Sequence, residues 1–237
     1  MPARNRIKQY LENGYYHIYN RGVERRLVFL DQQDYSVFLR YLKEYLLPKD
    51  EEDLRKQLSS PNNTYKERDK ILKLSRLNNF SNEITLLAYA LMPNHFHFFI
   101  KQKSSTSIDK FMQSLGTRYT MYFNRKYKRV GFLYQDTYKA VLIENEQQLI
   151  YLTKYIHKQI SIHHSNTSSV ALQGRTLQGW GQASSYPEYL GKRKTDWVYP
   201  EEVLSYFSKT NPKLTYKAFV EESDDFSVVQ RKILEED

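Results

Sequence analysis

His95 and His97 occupy alternate positions of an apolar run, Ala88 to Ile100, and Tyr155 and Gln159 lie four residues apart further along the chain. In a strand, residues i and i+2 share a face, so both imidazoles point one way while Phe96 points the other. In a helix, residues i and i+4 share a face, which sets the phenol of Tyr155 beside the amide of Gln159. Two imidazoles and an amide can hold a divalent cation, and a phenol oxygen next to it can attack a phosphodiester. An unassisted phenol has a pKa of about 10 and is a poor nucleophile at neutral pH. A cation on His95, His97 and Gln159 would polarise the phosphate and orient it in line with the phenol oxygen. The histidine pair alone does not decide the matter, because two strand histidines facing solvent give the same pattern.

Positioning these groups takes a strand, a helix and a core. Residues 84–92 and 95–102 read as two strands joined tightly at Pro93-Asn94, a hairpin signal. Residues 96, 98 and 100 take the buried side and 95, 97 and 99 the other, so two polar rings open onto a single surface. From Glu146 to about His163 a helical stripe buries Leu149, Leu152, Ile156 and Ile160, with Tyr151, Tyr155 and Gln159 flanking it.

Upstream, residues 15–20 are rich in β-formers and read as a first strand closed by Arg21-Gly22. Asp31 suits a helix N-cap ahead of Tyr35, Phe38, Leu39, Leu42 and Leu46, and Pro48 ends that helix. Residues 48–82 change character and read as a charged insertion carrying one or two short surface helices. From Ser107 to about Tyr127, apolar side chains fall at 108, 111, 112, 115, 119, 122 and 123, with Lys110, Arg118, Arg125 and Lys126 off the stripe. Gly131 opens a further strand region, best over 138–143. This order predicts an α+β fold: a ferredoxin-like, split βαβ sandwich with a mostly antiparallel sheet and an added helix. Residues 1–163 form the main domain. Residues 164–237 form an extension that starts Ser/Gly-rich, carries Trp180, Tyr186, Tyr189 and Trp197, packs back on the sheet and ends in an acidic tail.

Composition narrows the partners. The 237 residues allow a real core, and the absence of cysteine excludes disulfides and thiolate metal sites. Histidine, carboxylate and amide remain, a ligand set suited to a harder divalent ion. The net charge is +9, and it is uneven: residues 101–139 hold nine Lys/Arg against Asp109 and Asp136, while the last nineteen hold seven acids. A basic middle and an acidic end fit a polyanion groove with a solvated tail. Residues 1–30 lack a secretory pattern and no apolar run reaches the ~20 residues of a membrane span, so a cytoplasmic protein is expected.

Several blocks together carry a resemblance. Met92-Pro93-Asn94-His95-Phe96-His97 resembles the His-hydrophobic-His signature of single-tyrosine transposases in the HUH nuclease superfamily. Residues 16–26, from Tyr16-His17-Ile18 to Arg25-Arg26, look like the entry strand of its REP-associated branch. Residues 131–141 and 184–191 are similar to further blocks of that branch, and Tyr155-Ile156-His157-Lys158-Gln159 matches its nucleophile helix. The resemblance covers most of the chain apart from 48–82. It implies cleavage of single-stranded DNA beside hairpins through a 5′-phosphotyrosine, with Mg²⁺ or Mn²⁺ and no nucleotide cofactor. Carried over, Tyr155 is the nucleophile and His95, His97 and Gln159 are the metal ligands. Relatives in this branch usually have Asn-Pro where this chain has Gln159-Ile160; glutamine there is a feature of the sister group of minimal insertion-sequence transposases. His157 reads as structural or DNA-facing.

Basic residues offered to DNA phosphates are Arg21, Arg25 and Arg26 after the first strand, Lys110, Arg118, Arg125, Lys126, Lys128 and Arg129 around the amphipathic helix, and Lys139. Two rivals stay open: a non-catalytic module that binds hairpin DNA or RNA on the same sandwich, and a replication-initiation nuclease of the same superfamily. Against the latter, no phosphate-cradling Gly-rich loop is present. Monomer and homodimer stay equally open, and with them whether Tyr155 serves its own histidines or a partner's.

Overall fold

The computed structural model describes residues 10–166 and 183–222, the side chains of 160–166 excepted. Trp180, the side chain of Ile160 and most of the acidic tail lie outside the described residues. Strand β1 (Tyr15–Arg21) leads through a 3₁₀ turn (Val23–Arg25) to α1 (Gln32–Leu46), then α2 (Glu51–Ser59) and α3 (Tyr65–Arg76). The hairpin β2 (Ile84–Met92) and β3 (His95–Gln102) follows, then α4 (Ser107–Lys126), β4 (Lys139–Ile143) and α5 (Glu146–Asn166). The described part of the extension adds the short helices α6 (Tyr186–Tyr189), α7 (Glu201–Leu204) and α8 (Tyr216–Glu221). The sheet order is β2-β3-β1-β4 with every neighbouring pair antiparallel, the arrangement expected of a split βαβ sandwich.

Local chemistry sets the boundaries. Asp31 caps α1 with its side chain, and Asp34 reaches back in a capping box. Asn145 accepts the Gln148 amide at 2.9 Å and starts the helix that carries Tyr155. The insertion forms two charged helices; α2 buries no residue and α3 buries Ile71 alone.

Both faces of the sheet are covered. On one, α1 and α4 pack on Tyr16, Ile18, Phe96, Phe98 and Ile100. On the other, α5 lays Leu149, Leu152 and Ile156 over Leu87, Ala88, Ala90, Met92 and Phe99. Ala88 and Ala90 have no bulk to hold that helix away, so it settles close to β2 and β3. The described extension joins this second core through Tyr189, Val203, Tyr216 and Val220. Its backbone also bonds β2: Leu91 N–H donates to Ala183 O at 2.7 Å and Ser185 N–H to Tyr89 O at 3.0 Å.

One element differs from expectation. Residues 131–138 are not a strand; a bridge between Gly22 and Tyr134, with Gln135 N–H donating to Arg21 O at 2.8 Å, ties this stretch to the end of β1. Val130 and Phe132 are largely exposed, at 92% and 86%, and Gly131 takes a left-handed φ of 89° that interrupts extended backbone.

Candidate active site

The register of the sheet decides which side chains meet. His97 lies opposite Tyr19 of β1 and Ala90 of β2, while His95 lies opposite Arg21 and Met92. His17 lies opposite Phe99, one pleat from His97 on the same face. Because cross-strand partners point to one side, His95, His97, His17, Tyr19 and Arg21 all stand on the face that α5 covers. The α5 periodicity then turns Tyr155 down onto them.

The rings are in contact. The Tyr155 phenol lies 5.4 Å from the His97 imidazole, centroid to centroid, at 83°, and 6.0 Å from His17 at 78°. His95 and His97 stand 5.0 Å apart and perpendicular. The histidines do not open onto solvent as the alternation implied: His97 and His17 are fully buried and His95 nearly so. The reason is the helix and extension packed over that face, which alternation in a single strand cannot register.

Burial, reinforced by His17, His95 and Arg21, holds the His97 pKa well below the ordinary imidazole value. The neutral ring therefore keeps a lone pair, the form a metal requires. Its Nδ1 lies 2.9 Å from His17 Nε2, whereas its Nε2 is buried and makes no hydrogen bond among the described residues. A buried ring nitrogen left without a partner fits a ligand position for a divalent cation. His95 directs its Nδ1 at the Asn94 Oδ1, 2.6 Å away. Gln159 sits one turn beyond Tyr155 on α5 and is half-buried. Tyr155 faces the histidines of its own chain.

His157 has another task. It is buried, with Nδ1 2.6 Å from the Tyr216 hydroxyl and Nε2 2.8 Å from Ser185 Oγ. Burial pushes its pKa down to about 3. With both ring nitrogens engaged, it pins α5 to the extension and does not face DNA.

Residues 62–159 match the family model described as "Transposase IS200 like". Over that segment the chain is similar to the IS200-like transposases. The matched segment begins inside the charged insertion, which the resemblance in the sequence leaves out, and closes on Gln159. It contains His95, His97, Tyr155 and Gln159, whereas β1 with His17 lies before it. Among solved structures, a REP-associated tyrosine transposase bound to a REP hairpin is similar at a TM-score of 0.48 and 11% identity, over 94% of this chain and 100% of that one. No curated protein matches the chain.

Around the candidate site the basic residues divide into three groups. Arg21 and Lys139 share the histidine face, with Lys139 5.6 Å above the Tyr19 ring. Arg25 and Arg26 sit in the turn after β1, which Gly22 N–H fastens to Asn94 O at 2.8 Å, beside His95. A side chain at Gly22 would meet the Arg26 carbonyl, so only glycine fits there. Arg129 lies near this turn, bonded to Asn124 at 2.9 Å, while Lys128 is exposed.

The third group, on α4, lies across the sheet from Tyr155. Lys110 and Arg125 are exposed there. Arg118 and Lys126, read as phosphate contacts, are engaged internally instead. Arg118 pairs with Glu44 at 2.5 Å and stacks 3.8 Å above Tyr41. Lys126 bonds Asp31 and Asp34, each at 2.7 Å. Burial works against its charge, yet those carboxylates hold its pKa above the usual lysine value. A cavity of about 720 Å³ between α4 and residues 132–138 also lies on that side, lined by Asn20, Phe96, Asp109 and Met121. It is remote from the phenol and the imidazoles, and size alone does not make it the reaction centre.

His17 was missed as a site residue. The sequence pattern places it in the first strand and gives it no role. The signal was available: the split βαβ order puts β1 beside β3, and an odd-numbered β1 residue then shares the face of His97.

Among the described residues no helix is long and apolar enough to cross a membrane.

Proposed function

We propose that this chain is a divalent-metal-dependent transposase that cleaves and rejoins single-stranded DNA beside hairpins, with Tyr155 as nucleophile and His95, His97 and Gln159 as ligands of Mg²⁺ or Mn²⁺. The observation that carries this reading is the edge-on contact of the Tyr155 ring with His97, inside a segment similar to the IS200-like transposases.

In this reading Tyr155 Oη attacks the phosphorus and loses its proton to solvent. The bond from phosphorus to the 3′-oxygen breaks, and that oxygen leaves as a protonated 3′-hydroxyl. The 5′-phosphate stays on the tyrosine until another 3′-hydroxyl attacks it, restoring the phenol and joining the strands. A bound cation supplies charge at the phosphate oxygens as negative charge builds. Arg21 and Lys139, on the same face, hold the flanking phosphates. The hairpin preference rests on the likeness of residues 16–26 and 184–191 to the REP-associated branch.

The test uses a labelled single strand bearing a hairpin, incubated with the protein and Mg²⁺ or Mn²⁺ and denatured in SDS. A covalent adduct is expected with the wild type and none with Tyr155→Phe. An undiminished adduct with Tyr155→Phe removes the nucleophile assignment. Hairpin binding without any wild-type adduct leaves the non-catalytic binding module in its place.

A further inference from the structure

We infer that His17 is a positioning residue for the metal site: it accepts a hydrogen bond from Nδ1 of His97 and so leaves the His97 Nε2 lone pair bare for the cation. This rests on the functional reading above and adds a residue to it that lies outside the family match.

The geometry gives a choice with only two outcomes. His17 Nε2 and His97 Nδ1 are 2.9 Å apart, in nearly parallel rings at 20° and with both side chains fully buried. A neutral imidazole carries one N–H and one lone pair, so a single proton lies between the two nitrogens. If His17 donates it, His97 must carry its own hydrogen on Nε2, and that nitrogen cannot bind a cation. If His97 donates it, Nε2 is a lone pair. The buried, unbonded state of Nε2 among the described residues favours the second outcome, because an N–H sealed there stays without an acceptor, whereas a bare lone pair is satisfied once a cation binds.

His17 is also held firmly enough to act this way. It is fixed on the central strand β1, with Tyr19 at 4.8 Å on one side and Tyr155 at 6.0 Å across it. A metal-bound imidazole whose other nitrogen donates to a fixed acceptor keeps both its tautomer and its ring orientation. The acceptor here is another imidazole, one that the His-hydrophobic-His pattern does not contain.

Two measurements test this on the full chain. The first is nitrogen-15 NMR of the metal-free wild type, which reads the His97 tautomer directly. A proton on Nδ1 is expected; a proton on Nε2 overturns the inference, whatever the protein's activity. The second is Mn²⁺ affinity by calorimetry, with folding checked by circular dichroism. His17→Phe, which keeps the ring volume but has no acceptor, should weaken Mn²⁺ binding about 10- to 100-fold. His17→Gln, whose amide oxygen can accept, should recover most of it. Hairpin binding should stay within about twofold in both. Wild-type affinity in folded His17→Phe overturns the inference and leaves the metal reading standing. A wild type that binds no Mn²⁺ overturns both.

Discussion

The phenol of Tyr155 meets the imidazole of His97 edge to face at 5.4 Å, one group supplied by a helix and the other by an inner strand of the sheet beneath it. The contact exists because Leu152 and Ile156, on the neighbouring stripe of α5, are seated over Ala88 and Ala90. Neither partner can shift without repacking that layer.

The contact sets the first expectation. His95→Ala and His97→Ala should each lower the yield of DNA–protein adduct by at least about 10²-fold, as expected where charge stabilisation at the reacting phosphate is lost. Hairpin affinity, governed by phosphate contacts, should stay within about threefold. Adduct gels and equilibrium binding, run on one preparation of each variant, separate the two effects. Equal loss of both would mean that the histidines only hold the fold.

Acid should loosen the molecule through His157. Its folded pKa is about 3, below the ordinary 6.5 of the unfolded chain, so the unfolded state binds the extra proton first. The stability this residue contributes is complete above pH 6.5 and falls as the pH drops towards 3, at up to about 1.4 kcal/mol per pH unit. Urea melts between pH 7 and 4 should show that decline. His157→Gln should be less stable at pH 7 and should show a shallower acid slope.

The buried Asp34 is the expected weak point for mutation. It accepts the Tyr122 hydroxyl at 2.9 Å, the Tyr127 hydroxyl at 2.7 Å, the Leu30 amide at 2.8 Å and the Lys126 ammonium at 2.7 Å. Asp34→Ala strands that ammonium and both hydroxyls, and should cost about 3–5 kcal/mol in chemical denaturation. Lys126→Met should also destabilise, with no change in the salt dependence of DNA binding.

Charges on the histidine face should behave differently from those on α4. Arg21→Ala and Lys139→Ala should each weaken binding of the cleavable strand and reduce the slope of log affinity against log salt by about 1. Arg118→Ala should leave that slope unchanged and lower stability, because its partners are Glu44 and Tyr41. A slope change with Arg118→Ala would reverse the assignment of the two faces.

Much of the framework was legible in the residues. The β2–β3 hairpin was bounded correctly because apolar alternation breaks sharply at Pro93-Asn94, and α1 because Asp31 and Pro48 punctuate it. What stayed hidden needed a second element to become visible. A lysine off the apolar stripe, such as Lys126, looks alike whether it faces water or a carboxylate on another helix. The burial of His97 depends on α5 and the extension, and the value of His17 on its register with β3. Residues 131–138 misled because their aromatics suggest a strand, whereas Phe132 projects into solvent and Gly131 bends the chain.

The zipper between residues 183–185 and the outer strand β2 has a consequence for how the protein can fail. That strand would otherwise present unsatisfied amides along a rim, an invitation to sticky self-association. The same stretch anchors His157 through Ser185 and hence steadies the helix that carries Tyr155. Peeling it away would therefore loosen the Tyr155–His97 contact and foul the solution together, so proteolysis at this seam should lower the proposed adduct yield and solubility in step.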